Sequence, residues 1–201
     1  LIAADDHGGV LAQAVQDDPQ GLGAHFVGVQ GDFRTYRFPA VLAFEKMEGG
    51  FYHLPKYWEK LEKASSSITN SAKLLNRTVI KLWQKPELSD DDLKLQEGYC
   101  EKSRLDMLRE ADNIVLTELH KSGWYNQIFQ HLTICLPYAS EKNRTSFVLR
   151  PVCSEDVMTA RFAHLPQDLL ENIVKQIAEL PFTDAIFYDL TNKPPATFGW
   201  E

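Results

Sequence analysis

Set residues 36–55 beside residues 147–166, without a gap, and six of the twenty positions are identical. Val41 meets Val152, Met47 meets Met158, Phe51 meets Phe162, and His53-Leu54-Pro55 meets His164-Leu165-Pro166. Tyr36 against Phe147 adds an aromatic exchange. A repeat at a fixed offset constrains a fold strongly, because each copy has to make the same supersecondary unit. Each copy here is followed by an amphipathic stretch, 54–68 or 166–180, and then by a strand pattern, 78–83 or 184–190. The expectation is an α+β chain built from two related β-β-α-β units, 26–85 and 137–201. Segment 86–136 is inserted between them as a helix plus a strand, and residues 1–25 form a linker or the remnant of an upstream domain.

The local signals fill in that outline. Residues 25–29 and 34–44 read as strands joined by Gln30-Gly31-Asp32, whose glycine and aspartate suit a turn. Pro55 is tolerated in a helix's first turn. Ser89-Asp90-Asp91-Asp92 reads as a capped helix start with acids at the positive end of the dipole. Leu105, Leu108, Ala111 or Asp112, Val115 and Leu119 trace an apolar helix face with Gly123 as its stop. Residues 128–136 read as a strand and 138–144 as a polar loop. Near the amino terminus Val10, Leu11, Ala14 and Val15 fall at helical spacing. Asp5-Asp6-His7 reads as a solvated cluster, and Gly21-Leu22-Gly23 as a loop without a preceding strand. His53 and His164 read as histidines at helix starts rather than as ligands.

The tail carries the chemistry. Pro194 steers Lys193 away from the α region, and Pro194-Pro195 fixes two φ angles, so an ammonium is presented on a stiff segment. A compact cation held this way suits a phosphate. The run Tyr188-Asp189-Leu190-Thr191-Asn192-Lys193-Pro194-Pro195-Ala196-Thr197, ending in Trp200-Glu201, closely resembles the carboxy-terminal signature of the GMP synthase (glutamine-hydrolysing) family. Two further stretches agree in the same order. They are 27–36 with Gly31-Asp32-Phe33-Arg34, and Leu149-Arg150-Pro151 followed by Asp156-Val157-Met158-Thr159-Ala160.

The resemblance implies the dimerisation and substrate-binding domain of an enzyme that converts xanthosine monophosphate (XMP) to GMP with ATP and glutamine-derived ammonia. Its duplicated unit is similar to the long form of the family, in which the extra unit stands within one chain where a partner stands in the short form. The partners implied are XMP, upstream glutaminase and ATP-pyrophosphatase domains, and a homodimer or intramolecular pseudo-dimer. By the same resemblance Arg34 and Lys193 inherit contacts to XMP, with Phe198 and Gly199 beside them in the tail. Gly199 stands where the family usually carries an acid, and Glu110 where long forms carry a glutamine. A carboxylate there loses the amide's donors and repels a phosphate.

What is missing is as informative. Cys100, Cys135 and Cys153 lack the flanking glycines of a nucleophile elbow and share no metal-ligand spacing. No Ser-Gly-Gly-x-Asp-Ser phosphate loop occurs. The expectation is a fragment with no catalytic residue, no metal site and no cofactor of its own, inactive alone, with Mg-ATP used by the full-length enzyme. A formal charge of −7 opposes a nucleic-acid or membrane-surface binder. The absence of a long apolar run or a signal-like start, with three unpaired-looking cysteines, points to a cytoplasmic setting. An RNA-binding reading would need a Gly-x-x-Gly clamp, which Met47-Glu48-Gly49-Gly50 does not supply. The other reading left open is a purely structural assembly module, or a diverged paralogue without a working substrate site.

Overall fold

A computed structural model describes residues 10–14, 26–30, 33–44, 57–71 and 75–200. The expectations at 1–9, 15–25, 31–32, 45–56 and 201 therefore lie outside the described residues, Asp5-Asp6-His7, Gly21-Leu22-Gly23 and His53 among them.

Among the described residues the chain builds one mixed eight-stranded sheet, a two-stranded ribbon and three α-helices. In order these are β1 (Val10–Ala14), β2 (Phe26–Gln30), β3 (Phe33–Phe44), α1 (Trp58–Ser71), β4 (Leu75–Gln84), β5 (Lys94–Leu95), α2 (Lys102–Lys121), β6 (Gln130–Leu136), β7 (Tyr138–Ala139), β8 (Thr145–Cys153), β9 (Arg161–Phe162), α3 (Gln167–Ala178) and β10 (Thr183–Asp189). The main sheet runs β1-β3-β4-β10-β8-β6, with β2 on β3 and β9 on β8. Strands β3 and β4 are parallel and joined by α1, and strands β8 and β10 are parallel and joined by α3. Parallel neighbours require such a crossover, and a helix is its usual form. β4 and β10 meet antiparallel at the centre, Tyr188 opposite Ile80 and Asp189 opposite Val79.

Alternation along the strands sorts the core onto two faces. Leu42, Ile80, Phe147, Ile186 and Tyr188 face one way and join Trp58 and Leu61 of α1, Val115 and Leu119 of α2, and Leu170, Ile173 and Ile177 of α3. Val79, Val148, Ala185 and Phe187 face the other way, covered by Leu93 with Leu88, Tyr138 and Trp200 alongside. The first face also crosses between the halves. Trp58 Nε1 donates to Leu165 O at 3.2 Å, and its ring stacks on His164 at 5.6 Å and lies 5.3 Å from the Tyr188 ring.

Three local expectations are corrected. Residues 10–14 form a strand, not a helix, paired antiparallel with 40–44. A helix that short cannot repay its own nucleation, whereas a ladder on an existing strand can form. Asp90, Asp91 and Asp92 make a single 3₁₀ turn rather than the start of a long helix. The Ser89 box is present, its N–H and Oγ donating to Asp92 Oδ2 at 2.7 and 2.6 Å. Leu93 then goes extended and buries its side chain on the second face, and the helix waits until Lys102. Within 138–144, Tyr138 and Ala139 pair with Leu95 and Lys94 instead of looping freely. Gly123, read as a stop, does follow α2 with φ of 77°, a left-handed value that glycine adopts without strain.

Because β4 and β10 share one sheet centre, both halves should unfold together. Ile80→Ala and Ile186→Ala, each removing a fully buried side chain, are expected to cost about 2–5 kcal/mol apiece. Urea transitions followed by circular dichroism and by tryptophan fluorescence should coincide in both variants; two separated transitions would contradict a single cooperative sheet.

Candidate functional site

The site begins where β10 ends. Arg77 on β4, Asp189 on β10 and Arg150 on β8 sit on three neighbouring strands. Each lies two positions from a second-face residue, Val79, Phe187 and Val148, so all three share that face. Their side chains are fully buried. Arg77 Nη1 lies 3.1 Å and Arg150 Nη1 2.6 Å from the same carboxylate oxygen, Asp189 Oδ2. Two guanidiniums against one carboxylate leave an excess positive charge in the interior, which is costly unless every donor finds an acceptor.

The tail supplies those acceptors. Arg150 donates through Nε to Phe198 O at 2.9 Å, through Nη2 to Thr197 O at 2.7 Å and through Nη1 to Thr191 O at 3.1 Å. Arg77 Nη2 donates to Thr197 Oγ1 at 2.9 Å and to Gly199 O. Trp200 closes the arrangement: its Nε1 donates to Asp189 Oδ2 at 2.7 Å and its ring lies 4.9 Å from the Arg77 guanidinium. Burial alone would raise the Asp189 pKa. The two arginines, Arg150 before Arg77, outweigh it and hold the carboxyl below the usual carboxylate range.

Between β10 and this anchor the chain is tied at every step. Thr191 N donates to Asp189 Oδ1 at 2.8 Å, and Thr78 N donates to Thr191 Oγ1 at 2.8 Å. Asn192 Oδ1 accepts from Phe162 N at 3.2 Å, and its Nδ2 donates to Glu62 Oε1 at 2.7 Å on α1. Arg161 grips the same Glu62 with a two-pronged bond of 2.9 and 2.6 Å, which holds that carboxyl below its ordinary value against a smaller effect of burial. Lys193 forms a backbone bridge with Ala160, donating at 2.8 Å and accepting at 3.1 Å. The Lys193-Pro194 and Pro194-Pro195 peptides are both cis.

Lys193 thus comes out beside the loop at 154–160. Its Nζ donates to Val157 O at 2.6 Å and sits 4.2 Å from the centre of the Phe198 ring. Phe198 in turn lies 5.3 Å from Phe129, which is exposed just before β6. The loop is held by Asp156 Oδ1, which accepts from Met158 N and Thr159 N at 3.0 and 2.9 Å, and by Ser154 Oγ, which accepts from Val157 N at 3.0 Å. Val157 has φ of 62°, an unfavourable value for a β-branched side chain, and with Met158 it projects into solvent. An ammonium over one aromatic ring, with a second ring and two exposed apolar side chains nearby, can take a flat ligand bearing an anion.

Of the expected site residues, Lys193 and Phe198 are brought into contact. Gly199 lacks a side-chain acceptor, but its carbonyl accepts from Arg77 and from Thr197 Oγ1, the latter at 2.8 Å. Glu110 is exposed on α2, with no described contact to the tail. Arg34 lies on β3, its backbone paired with Val29, and its side chain lies outside the described residues. Arg77 and Asp189 were not foreseen as a pair. The signal available was strand alternation, which puts a charged residue on an otherwise apolar face at the end of β10. Among the described residues no group of three His, Cys, Asp or Glu could hold a metal ion, and no helix is long and apolar enough to cross a membrane.

Residues 117–200 match the family model described as GMP synthase C terminal domain. The chain is 33% identical over 175 residues to a probable GMP synthase (glutamine-hydrolyzing) of Leptospira interrogans, covering 87% of this chain and 27% of that protein. It is 42% identical over 112 residues to GMP synthase (glutamine-hydrolyzing) of Symbiobacterium thermophilum, 52% of this chain and 22% of that one. Against GMP synthase (glutamine-hydrolyzing) of Campylobacter jejuni it is 39% identical over 112 residues, with the same coverage of 52% and 22%. The chain therefore spans about a quarter of the length of the curated relatives it matches.

The electrostatics give a pH test. Burial pushes the His131 imidazole on β6 down from 6.5 to about 4, so it stays neutral in the fold. Between those values the unfolded chain takes up a proton that the folded chain refuses, and stability falls as pH drops from 6.5 towards 4, by roughly 3 kcal/mol. His164, also lowered by burial, acts in the same direction. Asp189 behaves as a depressed carboxylate: its contribution is present above about 4 and is lost as pH falls through its still lower folded value. Urea midpoints from pH 7 to pH 3 should fall in these two stages. His131→Asn should flatten the first stage, and Asp189→Asn should cost about 3–5 kcal/mol at neutral pH by stranding two buried guanidiniums; a midpoint that stays level from pH 7 to pH 4 in the unsubstituted chain would contradict the neutral His131.

Proposed function

We propose that this homologue of the glutamine-hydrolysing GMP synthases is the carboxy-terminal part of such an enzyme and serves it by binding XMP and by assembly. The supporting observation is Lys193, held by its backbone to Ala160 and by Nζ to Val157, with the Phe198 ring against it. Among its described contacts the ammonium commits one donor, to Val157 O, so two remain for phosphate oxygens. Phe198 and Phe129, their rings tilted 40° to one another, offer apolar aromatic contact for a purine. Arg34 and Glu110 are assigned to the same nucleotide by family resemblance.

The reaction itself is divided among domains. Glutamine hydrolysis and activation of XMP with Mg-ATP belong to the upstream glutaminase and ATP-pyrophosphatase domains, and this chain contributes no group to either step. Its part is to hold the nucleotide phosphate and base so that the reacting carbon meets the upstream site. The setting is the cytoplasm, where purine nucleotides are made.

For assembly, we read the two halves as a duplicated unit of the long-form type. The β3-α1-β4 and β8-α3-β10 crossovers are both parallel strand pairs bridged by a helix, and both ladders have a register shift near their start. Packed side by side through β4 and β10, the copies make within one chain a junction that separate subunits would otherwise supply, and any homodimer is secondary. A rival reading, assembly alone, is favoured by Gly199, whose carbonyl is engaged by Arg77 and which offers no side-chain acceptor to a base.

Steady-state kinetics of the full-length enzyme, with XMP varied and ATP saturating, separates the two. Each charge-assisted contact is worth about 1.5–3 kcal/mol, so Lys193→Ala should raise the KM for XMP about ten- to a hundredfold while glutaminase chemistry survives. Lys193→Arg should recover only part of the loss, since a planar fork does not replace a compact ammonium. An unchanged KM in Lys193→Ala would leave assembly as the domain's role.

A further inference from the structure

We infer that Arg77 and Arg150 are positioning residues for the nucleotide, acting through the tail rather than touching it. The inference rests on the XMP-binding reading above and assigns it a support, the pairing of Arg77 with Arg150, of which the stretches that resemble the family contain only Arg150.

Three consecutive carbonyls, those of Thr197, Phe198 and Gly199, accept from these two guanidiniums. Fixing the backbone on both sides of Phe198 fixes where its ring points, and that ring is what Lys193 and Phe129 meet. A buried pair of arginines sharing one carboxylate is a poor way to gain stability, because apolar side chains of the same volume do as well or better. It is a good way to dictate the course of a segment that has no regular secondary structure, since a planar fork fixes direction as well as distance. The arrangement also makes the site depend on both halves. Arg150 belongs to the segment that matches the family model, whereas Arg77 lies outside residues 117–200 and reaches Thr197 across 120 residues of sequence. The first unit would thus supply one of the two clamps that aim the second unit's binding tail.

The test uses the full-length enzyme and the 201-residue chain with XMP as the probe. Arg77→Lys keeps the charge but cannot reach Asp189, Thr197 and Gly199 together. Thr197→Val keeps the volume and removes Oγ1, which accepts from Arg77 and donates to Gly199 O. Thr197 is only partly buried at the surface end of the clamp, so this second variant decides the matter if Arg77→Lys fails to fold. Two readouts are taken: hydrogen exchange of the peptide spanning 193–200, and the KM and kcat for XMP. Faster exchange confined to that peptide, with KM raised about tenfold and kcat within about twofold, is the expected result. A residue that merely stabilised the fold would leave KM unchanged well below the unfolding temperature. Faster tail exchange with an unchanged KM, while Lys193→Ala still weakens XMP, would overturn the positioning role and leave the substrate reading intact. If Lys193→Ala is also without effect, both fall together.

Discussion

One carboxylate holds this structure's ends together. Asp189 closes the central strand β10 and receives Arg77 from β4 on one side and Arg150 from β8 on the other, all without solvent. The charges do not cancel, and the remainder is spread over the carbonyls of Thr191, Thr197, Phe198 and Gly199. Consequently the last residues are not a loose appendage: Trp200 returns to the sheet's second face, donates to the same carboxylate and packs against that face's apolar cluster. Sheet centre, strand end and tail form one connected network, and losing the carboxylate would release all of them.

The same geometry explains how a continuous sheet can carry a local site. On the helical face, Trp58 of α1 packs under Leu165 and His164 of the other half. On the outer rim, Glu62 of α1 receives both Arg161 and Asn192. The tail therefore runs along a seam between the halves, held by the first at Glu62 and Arg77 and by the second at Ala160 and Arg150. Lys193 emerges at the point on that seam where the strained Val157 turn offers its carbonyl.

Much of this was legible from residues alone, for reasons that differ by level. The strands at 34–44, 78–83 and 184–190 and the helix at 166–180 were expected close to where they lie, because long periodic runs with clear stops leave few alternatives. The segment at 10–14 was misread because five residues fit both periods, and only the partner strand at 40–44 decides between them. Ser89-Asp90-Asp91-Asp92 did carry a capping box, but a cap starts a helix only if the residues after it favour one, and Leu93 is drawn away to the second face. Lys193 stands out in the sequence through the stiffness that Pro194 and Pro195 impose, and the structure sets its ammonium against Phe198. Arg77 and Asp189 were missed, since they lie 112 positions apart and nothing local links them. A lone arginine in a strand reads as a surface cation until its neighbours in the sheet are known.

On this account the proposed substrate site depends on two anchors: Lys193 is set by Ala160 and Val157, and the Phe198 ring that a nucleotide would meet beside it is aimed by two buried arginines. A crystal structure of the chain with XMP bound tests that most directly. The account predicts the phosphate within hydrogen-bond distance of Lys193 Nζ, the base beside Phe198, and residues 197–200 still seated on Arg77 and Arg150. A nucleotide bound away from Lys193, or bound there with the tail lifted off the arginines, would contradict it.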